Sequence, residues 1–349
     1  MRIPNLLKID NFIIAEIGTN HNKKIGRAVS MINQIGRTKC DAIKFQIYEP
    51  NEIVNKKVSS KEYGLDKIYG TIPARIMFKK FLKTPKSWFP KLKNLCHKKK
   101  KYFGITIHGE NGLNFAKKIK PDFVKIASMD HNNFPFIEKI INKIKVPIIV
   151  SLGMAEIKDI KILVKILKKH KYGFNLLHCT TLYPPQKNEL RMSNIVYLRN
   201  RFNIPIGFSD HTIKYESALK AKKYGANIFE KHVTINNKLK GPDHTFALNI
   251  SLLDNYISKI KKTKLSLNTG NIKLKFKNIS SRENKIRLKY LKSLTLNKDL
   301  FTGSVIKKSD IYITRPGKGI APKFLHNLIG KKLKKSKSAE TQIDWKDIY

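Results

Sequence analysis

Pro205-Ile206-Gly207-Phe208-Ser209-Asp210-His211 begins the most telling part of the chain; Asn227-Ile228-Phe229-Glu230-Lys231-His232 and a loop with Gly241-Pro242-Asp243-His244 close it. Two short apolar runs each end in ionisable side chains, and the amphipathic segment between them, residues 215–224, is long enough for a parallel crossover. That is a strand-helix-strand unit with chemistry at the strand ends. In a closed parallel barrel the carboxyl ends of neighbouring strands converge on one mouth, so this reading brings His211 and His232 to a single ligand. Paired imidazoles are candidate metal ligands, with carboxylate or water completing the shell. A structural histidine at each strand end is the plainer alternative. Against it, Ser209, Asp210, Glu230 and Lys231 crowd the same ends, and structural strands rarely stop on so much charge.

Strand-length apolar runs recur along the chain at 12–17, 42–46, 102–106, 123–126, 147–151, 174–179, 205–209 and 228–232. They read as continuous β-branched and aromatic runs, the pattern of strands buried on both faces. Segments 26–37, 112–118, 157–169 and 216–224 carry the helical period between them. Such alternation over this length predicts an α/β fold, a (β/α)8 TIM barrel in preference to an open sheet. Polar residues collect where the runs stop: Glu16 with Asn20-His21-Asn22, Lys44 and Gln46, Lys125 and Ser128, Ser151, and 178–183. A lysine within a buried strand is costly unless paired. Lys44 and Lys125 therefore await either an anionic ligand or an internal carboxylate.

The segment 51–101 is too long for an ordinary βα loop and has helical signals at 74–82 and 90–98, so it is read as an insertion shaping the mouth. A closing helix runs to about 264. The expected domains are 1–265 for the barrel, a Lys/Asn/Ser-rich linker at 266–290, and a mostly-β unit at 291–349. In that unit, short strands are expected at 293–296, 299–301, 303–306 and 310–313, then the turn Arg315-Pro316-Gly317-Lys318-Gly319-Ile320 with an exposed arginine. So small a unit is marginal unless it docks, and the barrel mouth is the obvious partner.

The 349 residues carry a formal charge of +46, from 71 Lys+Arg against 25 Asp+Glu, which raises the question of nucleic acid. The lysines are spread through 98–101, 161–169 and 331–335 without interleaved aromatic residues, so a solvated basic surface is expected and a nucleic-acid partner is not. Small anionic substrates would still be drawn in. Cys40, Cys96 and Cys179 are scattered and suggest neither a disulfide framework nor a zinc site. Lys8 and Asp10 interrupt any amino-terminal apolar run and no stretch reaches the ~20 apolar residues of a membrane span. A soluble cytoplasmic protein is expected, without a membrane partner.

An ordered set of short stretches resembles the sialic acid synthase family. It comprises Ile14-Ala15-Glu16-Ile17-Gly18 with Asn20-His21-Asn22, Asp41-Ala42-Ile43-Lys44-Phe45-Gln46, Val124-Lys125-Ile126-Ala127-Ser128, Ile149-Val150-Ser151-Leu152-Gly153-Met154-Ala155, His178-Cys179-Thr180-Thr181-Leu182-Tyr183-Pro184, Gly207-Phe208-Ser209-Asp210-His211, Glu230-Lys231-His232 and Gly241-Pro242-Asp243-His244. Arg315-Pro316-Gly317 and 320–329 are similar to the family's antifreeze-like (SAF) domain.

The resemblance implies a TIM barrel followed by a SAF domain, in a homodimer where each tail caps the partner's barrel. It implies condensation of phosphoenolpyruvate with an N-acetylated amino sugar to a nine-carbon keto acid, with phosphate leaving by C–O cleavage. By the same analogy His211 and His232 hold Mn²⁺ or Mg²⁺, and Lys44, Lys125, Ser128, Ser151 and Ser209 surround phosphoenolpyruvate. Thr181 stands where the family often carries an asparagine. Gln46, Tyr183, Asp243 and the partner's Arg315 would contact the sugar, with Asp130 where a glutamate commonly grips it.

A carboxylate must orient or deprotonate the attacking water; Glu16 is the first candidate and Glu230 the second. Asp130, the Thr106-Ile107-His108-Gly109 loop and residues 62–86 depart from the family pattern. The acceptor is accordingly N-acetylmannosamine or a modified 2-acetamido sugar of the legionaminic or pseudaminic type. Two rivals remain: a non-catalytic basic polyanion-binding protein, and an eight-carbon sugar-acid synthase using arabinose 5-phosphate, against which the tail speaks.

Overall fold

The computed structural model describes residues 9–266 and 275–349, so Lys8 and residues 267–274 of the expected linker lie outside the described residues. Eight parallel strands follow one another around a closed sheet: β1 (Phe12–Glu16), β2 (Ala42–Ile47), β3 (Tyr102–Ile107), β4 (Phe123–Ile126), β5 (Ile148–Ser151), β6 (Phe174–Cys179), β7 (Ile206–Asp210) and β8 (Ile228–Thr234). Pairing of β1 with β8 closes the barrel. The strands are those expected, within a residue or two at their ends. Helices α1 (Ile25–Gly36), α2 (Phe89–Lys98), α3 (Glu110–Ile119), α4 (Phe134–Lys143), α5 (Ile157–Leu167), α6 (Ser193–Phe202), α7 (Glu216–Lys223) and α8 (Leu253–Lys262) form the outer ring. In α1 the buried residues Ala28, Met31, Ile32 and Ile35 have the i, i+3, i+4, i+7 spacing of one helix face.

Strand side chains alternate between two environments. Ile13, Ala15, Ile43, Phe45, Val124, Val150 and Phe229 pack outward against the helices, while Phe12, Ile14, Ala42, Phe123, Ile149, Leu177 and Ile228 fill the barrel interior. Two residues further along each strand, the period of 2 returns the chain to the inside as Glu16, Lys44, Lys125, Ser151 and Glu230. The interior plug is tight: a Cβ on Gly104 would lie 2.1 Å from the Phe123 ring. The apolar floor thus sets the depth at which the polar layer begins.

A two-residue strand β9 (Leu248–Asn249) extends beside β8. Helix α9 (Ser281–Tyr290) occupies much of the stretch read as a linker. The tail pairs β10 (Ser293–Leu296) antiparallel with β11 (Ile311–Thr314) around a small core of Leu294, Leu296, Ile306, Leu328, Leu333 and Ile343. The segments expected as strands at 299–301 and 303–306 form only single bridges, Leu300 to Lys337 and Val305 to Lys332.

The tail packs against the mouth of its own chain's barrel. Arg315 N–H donates to the Ile53 carbonyl at 3.2 Å and Asn55 N–H to the Arg315 carbonyl at 3.0 Å. Arg75 pairs with Glu340 at 2.8 Å, and Lys323 with Asp159 at 2.8 Å. The expectation of an exposed Arg315 is overturned: it is 3% exposed, because its backbone adds alongside Val54 and carries the side chain into the mouth. Among the described residues no helix is long and apolar enough to cross a membrane.

Candidate active site

A cavity of about 430 Å³ opens at the carboxyl ends of the barrel strands. Strand register delivers its floor: Glu16 sits level with Lys44 on one side and His232 on the other, and Ser209 level with Glu230. Lys44 Nζ lies 2.6 Å from Glu16 Oε2 and 3.6 Å from Glu230 Oε2, and donates to Thr106 Oγ1 at 2.7 Å. Lys125 Nζ and Ser209 Oγ both donate to Glu230 Oε1 at 3.0 Å. Gln46 Nε2 donates to Glu16 Oε1 at 2.7 Å. Lys44 and Lys125 thus each have an internal carboxylate partner, and both line the cavity.

The two carboxylates are pushed apart in proton affinity. Burial raises that of Glu16 and the negative charge of Glu230 adds to it, against opposition from Lys44, leaving it above its ordinary range. Glu230 is buried too, but Lys125 and Lys44 outweigh burial and hold it well below that range. Burial lowers Lys125, with Glu230 partly compensating. Beside these groups, the Ser151 and Thr181 hydroxyls are buried without a hydrogen-bond partner. Gly153 packs against Thr181 and Ser128: its N–H donates to Ser128 Oγ at 3.0 Å, and a Cβ there would come within 2.0 Å of Thr181 Oγ1.

The ring centroids of His211 and His232 are 5.5 Å apart, with Phe246 5.2 Å from His232 and Tyr183 4.3 Å from His211. His211 Nδ1 donates to the Thr180 carbonyl at 2.9 Å, which leaves the lone pair on Nε2. His232 Nδ1 is buried without a hydrogen-bond partner and lies 3.5 Å from Asp243 Oδ2. Burial and the neighbouring His211 keep His232 neutral, well below the ordinary histidine range. Burial lowers His211, but Cys179 and the Thr180 carbonyl outweigh it and leave that ring above the ordinary histidine range; with its proton displaced, the pair suits a divalent ion that takes its other ligands from water or substrate. Among the described residues no third His, Cys, Asp or Glu completes such a set. Burial and Glu16 push Asp243 up to about 6.

Glu16, Lys44, Gln46, Lys125, Ser128, Ser151, Thr181, Tyr183, Ser209, His211, Glu230, His232, Asp243 and Arg315 all line this one cavity. Asp130 does not. Its carboxylate is buried, 3.0 Å from Lys292 Nζ and 2.6 Å from His108 Nδ1, so the expected grip on a sugar is replaced by a contact between barrel and tail. Asp210 and Lys231, part of the charge that marked the decisive stretch, pair with each other at 3.0 Å away from the cavity.

Sequence reasoning did not single out His108, Tyr48, Ile286 and Tyr290, which line the cavity, or the buried Glu283. Glu283 Oε1 accepts the N–H groups of Met154 and Thr181, both at 2.9 Å, and its Oε2 accepts from Arg191 at 2.5 Å. One carboxylate from α9 therefore ties together the loops after β5 and β6. Its signal was present as Ser280 three residues before Glu283, a helix-start pattern; the Ser280 hydroxyl accepts the Glu283 N–H.

Residues 31–272 match the NeuB family and residues 292–348 the SAF domain. The chain is 30% identical to the N,N'-diacetyllegionaminic acid synthase of Legionella pneumophila, over 97% of this chain and 94% of that one. It is 28% identical to a pseudaminic acid synthase of Campylobacter jejuni, over 93% and 92%. The crystal structure of the spore coat polysaccharide biosynthesis protein SpsE of Bacillus subtilis superposes with a TM-score of 0.82 at 27% identity, covering 100% of this chain and 99% of that one. With the first match spanning most of the barrel and the second the tail, the chain belongs to the NeuB family and pairs its barrel with a SAF domain.

Proposed function

We propose that this enzyme condenses phosphoenolpyruvate with a 2-acetamido sugar to give a nine-carbon keto acid, releasing phosphate by C–O cleavage. The observation that carries the reading is the pair Lys44 and Lys125 beside the free hydroxyls of Ser151 and Thr181 in a buried cavity. Phosphate and carboxylate groups need fixed cations and hydroxyl donors where water is excluded. Ser128 and Ser209 extend that donor set. Bound between His211 and His232, Mn²⁺ or Mg²⁺ would supply Lewis-acid polarisation of the acceptor aldehyde.

Glu16 orients the attacking water and takes its proton, because its proton affinity is raised where that of Glu230 is depressed. Glu230 serves as the fixed counter-charge to both lysines. Gln46, Tyr183, Asp243 and Arg315 face the acceptor from the rim. A legionaminic- or pseudaminic-type acceptor is favoured over N-acetylmannosamine, because Asp130 is withdrawn and His108 faces the cavity in its stead. The reading also carries a cytoplasmic setting and a homodimer, in which sedimentation should find two copies. The test incubates the protein with phosphoenolpyruvate, Mn²⁺ and a panel of 2-acetamido sugars, with and without chelator. Phosphate release that needs both a sugar and the ion is expected; silence across the panel favours the polyanion-binding alternative.

A further inference from the structure

We propose that His108 selects an acceptor bearing an acylamino N–H, while the Tyr48 hydroxyl meets the carbonyl of that same group. This deepens the synthase reading above and rests on it. Asp130 Oδ2 lies 2.6 Å from His108 Nδ1, and the same carboxylate is ion-paired with Lys292 at 3.0 Å, which keeps it anionic and accepting. The ring proton is thereby fixed on Nδ1 and the lone pair on Nε2. His108 Nε2 is buried and has no hydrogen-bond partner. Burial also holds the ring neutral, below the ordinary histidine range.

The other unpartnered groups near His108 are donors. The Tyr48 hydroxyl and Arg315 Nε are likewise buried without a hydrogen-bond partner, and the Tyr48 ring lies 5.7 Å from that of His108, edge-on. Ile53, Leu65, Phe78 and Leu82 supply apolar wall in the same cavity. An orphan acceptor, orphan donors and apolar wall match the three parts of an acylamino group: N–H, carbonyl oxygen and a small alkyl end. A carboxylate or phosphate would face the His108 lone pair and be disfavoured. A bare hydroxyl would leave the wall uncovered.

Lys292 also donates to the His108 carbonyl at 2.6 Å, and its own carbonyl accepts from Asn132 at 2.8 Å. The imidazole is therefore braced by the tail through both its backbone and Asp130. Asp130 and Lys292 act on the acceptor only as positioning residues.

The experiment uses the full chain with phosphoenolpyruvate, Mn²⁺ and matched acceptor pairs in which one acetamido group at a time becomes acetoxy, an isostere that keeps carbonyl and methyl but lacks the N–H. At one position the native enzyme should prefer acetamido by about 10–100-fold in kcat/KM, the cost of a buried acceptor left unpaired. His108→Phe should bring that ratio to within about threefold, and His108→Gln, with its amide oxygen near the Nε2 position, should keep most of it. The ratio is internal to each variant, so a smaller folded fraction cancels. If His108→Phe does not turn over, the ratio is read on His108→Ala and should collapse likewise. An unchanged ratio in the variants, or no acetamido preference in the native enzyme, overturns the role of His108 and leaves the synthase reading standing. Absence of phosphate release by the native enzyme with any sugar defeats the synthase reading itself.

Discussion

Two buried carboxylates in contact with the same lysine end with opposite proton affinities because Glu230 has a second ammonium, Lys125, at 3.0 Å and Glu16 does not. Glu16→Gln should therefore lower the rate of phosphate release by about 10²–10⁴-fold, the usual worth of a positioned proton acceptor, with little change in donor KM. Near-normal turnover in that variant would remove Glu16 from proton transfer. At this scale the sequence was readable wherever a residue was out of place. A lysine in an apolar run, as at 44 and 125, is an anomaly that burial must resolve, and both line the cavity. Asp130 was misread for a physical reason: a carboxylate at a strand end gives no sign of which way it turns, and its partner Lys292 is remote in the chain.

Strands were legible as elements because burial on both faces demands unbroken apolar runs. Helix α9 was not, since Ser-Arg-Glu-Asn-Lys-Ile-Arg-Leu-Lys-Tyr has no apolar stripe and is held largely by polar contacts of Glu283, Arg282 and Arg287. Glu283→Gln keeps the shape but weakens a charge-assisted link to Arg191 and the two amides. KM for phosphoenolpyruvate should rise by about tenfold with the acceptor KM nearly unchanged; equal effects on both would assign α9 a merely structural part. The junction between tail and barrel has its own signature. Burial would raise the proton affinity of Asp130, but Lys292 and His108 outweigh it and hold the group below the ordinary range. The folded chain then binds that proton less readily than the unfolded one, so the contact stabilises above about pH 4 and its benefit is lost as pH falls further. Thermal midpoints measured from pH 7 downward should fall more steeply for the native chain than for Asp130→Asn.

For the molecule as a whole, the order of strands, the presence of a small second unit and its docking on the barrel mouth were all written in the chain, while the contacts that make the docking were not. Loop-to-loop pairings such as Arg315 with residues 53–55 have no periodicity to betray them. The formal charge of +46 belongs to this scale as well. A field of one sign around a cavity for small anions accelerates encounter and is screened over about 8 Å at physiological ionic strength. Raising salt from low to high should therefore lower kcat/KM for phosphoenolpyruvate while leaving kcat nearly constant; a flat response would mean that the basic surface plays no part in capture.

The internal pairing of Lys44 and Lys125 bears on how the donor is loaded. A cavity floor that is already electrically balanced becomes overcharged once a multivalent anion enters, and the relief that leaves Glu16 free as a base is a hydrogen ion drawn from solution onto Asp243, already pushed up to about 6. Donor uptake is then a proton-coupled event, and its heat should track the ionisation enthalpy of whichever buffer surrounds the protein.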